Sequence, residues 1–138
     1  MTNSKIKFFH SELLEWKKSI EFFSHQLVAF QNRLTEVVKN NGHKQMLAEV
    51  EQFQNKFIVE KESFDILRHD IKAQAKQIVL AAPDYDDIKV DFVDNQFILA
   101  DRFQTAEALF ADLKRSFYRF LEKYSMHIEE KKELEAQA

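Results

Sequence analysis

The chain predicts an all-α fold, an antiparallel bundle of three long coiled-coil-like helices, and three observations carry that expectation. Apolar residues recur in alternating steps of three and four; one Gly and one Pro stand about forty residues apart; and Phe, with 14 copies, dominates the aromatic content. A three-four beat returns side chains to one seam of a slightly supercoiled helix, a period that no strand has. One Gly and one Pro are too few for the turns of a sheet, and they suffice for two helix connections. Phe brings bulk to a core without a polar group that needs a partner.

The first helix is read from about 4 to 40, with Asn3 or Ser4 as its N-cap. Its seam is Ile6, Phe9, Leu13, Trp16, Ile20, Phe23, Leu27, Phe30, Leu34 and Val37. It closes at Gly42, which can take the left-handed position after a helix without a Cβ clash. The second helix spans about 43 to 82, with Met46, Val50, Phe53, Phe57, Phe64, Leu67, Ile71 and Ile78 on its seam and two polar interruptions, Glu60 and Gln74. Pro83 disfavours helix in the residue before it, and Asp84, with Asp87 three residues on, can cap the next helix. The third helix is expected from about 85 to 131, seamed by Phe92, Leu99, Phe103, Ala106, Phe110, Leu113, Phe117, Phe120 and Tyr124. Its start is open to other readings: a hairpin over 88–99, where Ile88, Val90 and Phe92 alternate, or a kink or loop near Asp94-Asn95 that would free a short fourth helix. The seam is lost after Glu129, so 132–138 read as a frayed tail. All 138 residues form one domain.

Composition narrows function by exclusion. With 45% apolar and 31% charged residues, disordered and collagen-like classes are ruled out. A formal charge of −3 spread along the helices offers no face for phosphate, so nucleic acid is not an expected partner. The basic group Lys114, Arg115, Arg119 and Lys123 is interleaved with Asp112 and Glu122, as on a wet, ion-paired helix surface. Asp65, Arg68 and His69 are read as another such face, off the seam. Without cysteine there is no thiolate chemistry. There is no leader-like block before Ile6 and no run of 18 apolar residues, and the expectation is a cytoplasmic protein without membrane association.

The stretch Glu49-Val-Glu-Gln-Phe-Gln-Asn-Lys-Phe-Ile-Val59, continuing to Leu67-Arg-His-Asp-Ile71, together with Ala111-Asp-Leu-Lys-Arg-Ser-Phe-Tyr-Arg-Phe-Leu121, resembles a family of small, uncharacterised bacterial all-helical proteins. That resemblance spans about half the chain. It implies a helical fold and carries over no activity and no functional residue.

Chemistry finds little to stand on. A di-iron bundle needs Glu-x-x-His, yet Lys7, Phe22, Asn40, Ile66 and Tyr124 precede His10, His25, His43, His69 and His127 by three. Straight helices turning at Gly42 and Pro83 would bring level those residues of the first two helices whose numbers sum to about 83, and about 167 for the second and third. His43 and His127 then share one end of the bundle with Glu130, a weak candidate set for a divalent ion. Glu60 would lie beside Ser24 and Glu107, two carboxylates able to share a raised pKa, and Gln74 beside His10 and Val93. The plainer role for both interruptions is to set helix register.

A surplus of apolar residues remains outside the seams: Phe8, Leu14, Phe22 and Val28 in the first helix, and Val59, Ile66, Ala73 and Leu80 at every seventh place in the second. Three helices cannot bury both seams and flanks, so a cover is expected. The reading is a non-enzymatic interaction or scaffold module without cofactor, a homodimer through Phe8, Leu14, Phe22, Val28, Val59, Ile66 and Leu80, or else bound there to another helical protein. The alternative is a bundle that binds a small ligand or metal through its buried polar residues.

Overall fold

The computed structural model describes residues 2–40, 44–85, 88 and 90–137, with side chains for all of these except 125–135. Among the described residues three helices make up the fold: α1 (Asn3–Asn40), α2 (Lys44–Ala81) and α3 (Val90–Gln137). Short connections turn each helix back on the one before, so α2 is antiparallel to both neighbours, and α1 and α3 run the same way. No strand occurs among the described residues, and no helix among them is long and apolar enough to cross a membrane.

The N-cap of α1 is Thr2, not Asn3 or Ser4: its hydroxyl accepts the Lys5 N–H at 3.3 Å, three residues on, where a capping oxygen reaches a free backbone donor. Gly42, read as the residue that closes the first helix, lies outside the described residues.

The start of the third helix differs more. α3 begins at Val90 rather than Tyr85, so Asp84 is not its cap, and Asp87 lies outside the described residues. From Val90 onward the helix is unbroken, without the hairpin, a loop at Asp94-Asn95 or a fourth helix, and its backbone stays helical to Gln137 across the expected tail. The physical reason lies in Asn95. Its amide reaches across to α2 and donates to Gln74 Oε1 at 2.8 Å, so the side chain does not compete for its own backbone as a turn-forming Asn would.

Every residue of the predicted seams is buried except Trp16, Phe23 and Glu60; Trp16 and Phe23 pack against the core from its edge. The rings are stacked in levels, two of which take one ring from each helix. Trp16 lies on Phe103 with centroids 5.9 Å apart. Phe23, Phe64 and Phe110 meet at 5.0–5.8 Å, and Phe30, Phe57 and Phe117 at 5.1–6.0 Å. Phe53 continues the ladder to Phe117 and Phe120. Offset and edge-on rings at such distances add about 0.5–1.5 kcal/mol per pair to the burial of their area.

These levels correct the expected register. Phe64 faces Phe23 and Phe110, which displaces α1 by one turn and α3 by about two turns from the even-turn expectation. The displacement of α3 goes with its late start, at Val90 after α2 ends at Ala81.

Candidate functional site

At the end of the bundle where α2 ends and α3 begins the seams turn polar. Gln74 and Gln96 are 1% exposed, in the middle of an otherwise hydrocarbon core. A buried amide costs free energy unless its two N–H groups and its oxygen find partners, and here they do. Gln74 Nε2 donates to the Phe92 carbonyl at 2.8 Å and to Gln96 Oε1 at 3.2 Å, while its Oε1 accepts from Asn95. Gln96 Nε2 donates to the Phe9 carbonyl and to Glu12 Oε1, both at 3.2 Å. The five bonds tie α1, α2 and α3 together at one height. Gln74 thus stands near the expected Val93, but its partners Asn95, Gln96 and Glu12 were not anticipated. A signal for Gln96 existed: the third seam jumps seven residues from Phe92 to Leu99, and Gln96 occupies the skipped beat.

Glu60, the other interruption, is half-buried. With the register displaced, it borders a cleft of about 380 Å³ with Leu109, Leu113 and Ser116 rather than Glu107, which is exposed. Burial alone raises the Glu60 carboxyl above the usual carboxylate range, so the expected sharing between two carboxylates is not the cause.

Charged pairs bridge α2 and α3 along the same side. Arg102 Nη1 meets Asp70 Oδ2 at 2.8 Å, and that guanidinium, with a smaller contribution from His69, holds the Asp70 carboxyl below its ordinary value. Lys123 meets Glu49 at 3.2 Å, and the Tyr124 hydroxyl and Lys123 lower the Glu49 carboxyl. Arg115 pairs with Asp112 one turn earlier. The basic group of α3 is therefore largely engaged with carboxylates and rings, Lys114 lying 5.7 Å from the Tyr118 ring centre.

Of the weak metal candidates, His43 and the side chains of His127 and Glu130 lie outside the described residues. Among the described residues no three His, Asp or Glu side chains are grouped to hold an ion. A cleft of about 580 Å³ opens beside the polar layer, lined by Gln74, Gln77, Leu80, Ile88, Asp91 and Asn95. The Gln74 and Asn95 amides on its wall are already bonded to each other. Amides committed in this way offer neither a nucleophile nor a proton.

The seven side chains expected at an interface, Phe8, Leu14, Phe22, Val28, Val59, Ile66 and Leu80, are each more than half exposed. They do not share a face. Phe8 and Phe22 directly precede core residues of α1, and Leu14 and Val28 directly follow them. A step of about 100° either way puts all four on the back of α1, turned from α2 and α3. Val59 and Leu80 instead border clefts shared with α3, on the far side from α1. The two rows look in opposite directions across the bundle. Compared with protein-family models, with curated proteins and with solved structures, the chain finds no match.

Proposed function

We propose that this chain is a non-enzymatic interaction module that works by self-association, with a helical bundle as its rigid platform. The observation that carries the proposal is the outward placement of large apolar side chains at regular helical spacing, each more than half exposed. With α3 unbroken, no described element of the chain folds over them. Each would gain about 1.5–3 kcal/mol on full burial, a strong incentive to acquire a cover. The polar layer suits the same role: a platform must present its rows in fixed register, and five bonds among three helices hold that register.

Light scattering coupled to gel filtration tests this. A mass of twice 16.4 kDa is expected, shifting toward the monomer on dilution. A monomer at every concentration would end the self-association reading.

A further inference from the structure

We infer that two copies pair through the outer face of α2, antiparallel about a twofold axis beside His69, which sets Ile66 against the second copy's Ala73 and Val59 against its Leu80. This rests on the self-association proposed above and specifies its surface and register.

The outer strip of α2 carries more than an apolar row. Beside Val59, Ile66, Ala73 and Leu80 stand Glu62 and Asp65 toward the start of the strip, and Lys72 and Lys76 toward its end. All are exposed. Among the described residues none of these four charges has an ion-pair partner in its own chain. Glu62 sits three residues from Asp65, and Lys72 four from Lys76, so like charges gather at each end of the strip. The strip is thus acidic at one end and basic at the other, and an antiparallel copy of itself is its complement.

The register follows from both patterns at once. When Ile66 lies against the second copy's Ala73, the same axis brings Ile58 to its Val79, Glu62 to its Lys76 and Asp65 to its Lys72. On either side of the axis, where His69 meets its own copy, apolar meets apolar and acid meets base. Sliding by one heptad preserves the apolar row but sets Asp65 against the second copy's Asp65, or Lys72 against its Lys72, so only one register satisfies the charges. Twofold symmetry doubles each pair and closes the assembly at two.

The row on the back of α1 fails the same test. Its apolar side chains lie on two flanks: an axis that pairs Phe8 with the second copy's Phe22 sets Glu15 against its own copy, and one that pairs Leu14 with Val28 sets Glu21 against its own copy. On α2 the strip from Ile58 to Leu80 runs about 33 Å, long enough for a helix pair to lock. Its apolar side chains expose on the order of 600 Å², above ordinary surface scatter.

Charge reversal in halves provides the test. In dilute solution at low salt, Lys72→Glu with Lys76→Glu is expected to give a monomer, and so is Glu62→Lys with Asp65→Lys. An equal mixture of the two variants should recover a species of twice 16.4 kDa, because each then carries the other's complement. In the cysteine-free background, His69→Cys should cross-link to its own copy on oxidation, and Glu62→Cys should not, since its copy lies about 20 Å along the pair. A wild-type dimer that survives both reversals, or cross-links through Glu62→Cys and not through His69→Cys, would overturn this interface and leave self-association standing. A monomeric wild type would remove both.

Discussion

Replacing the two buried glutamines singly and together gives the sharpest test of what holds the three helices in register. In Gln74→Leu the Gln96 oxygen and the Asn95 amide lose their partner. Unmet polar groups cost about 1–3 kcal/mol each. A buried Leu returns part of this, so a net loss of about 1–3 kcal/mol is expected. In Gln96→Leu one N–H of Gln74 is orphaned while the other still reaches the Phe92 carbonyl, and Glu12, at the edge, can turn to water. About 0–2 kcal/mol should be lost. The double variant buries neither glutamine amide, so the unmet groups that each single change leaves on the other glutamine vanish together, and the half-buried Asn95 amide is left to turn to water. Its stability should lie near that of the wild type, with a coupling of about 1–3 kcal/mol between the sites. Urea unfolding followed by circular dichroism, at one fixed protein concentration, measures all four corners of the cycle. Additive losses, with the double variant as poor as the singles combined, would refute the account of a closed amide network.

Phe117→Ala should be among the most damaging single changes. The side chain is 0% exposed and its ring meets Phe30, Phe53, Phe57 and Phe120, so a loss of about 3–5 kcal/mol is expected in the same urea assay. Glu60→Gln should stabilise the protein at pH 7 and make no difference near pH 3. A carboxyl raised by folding above its ordinary 4.5 contributes stability below that value and loses it as pH climbs through the higher folded one; equal effects at both pH values would contradict this. Asp70 has the opposite sign. Its carboxyl is lowered from 3.8 by Arg102, so its contribution is present above 3.8 and fades as pH falls through the lower folded value. Both groups of that pair are more than a third exposed. Arg102→Met should therefore cost under about 1 kcal/mol and still less in high salt, and a larger loss indifferent to salt would assign Arg102 a packing role.

Helix number, the seams and the all-α class were legible in the residues because a three-four beat is a local property, read from one segment without knowledge of its neighbours. Ile6 to Val37 needed no partner to be recognised as one face of a helix. The outward rows were legible for the same reason. Partnership across helices was not. Gln74 was visible as an interruption, but its bonds to Asn95 and Gln96 depend on where α3 starts. That start, at Val90 after α2 ends at Ala81, is encoded by no periodicity. The expected neighbours of Glu60 were displaced with it. The division of the apolar surplus into two opposed rows likewise emerged only once three rods were packed, because a face acquires a direction only relative to the core. Local spacing thus determined which side of each helix is greasy, and the tertiary arrangement decided which greasy sides meet.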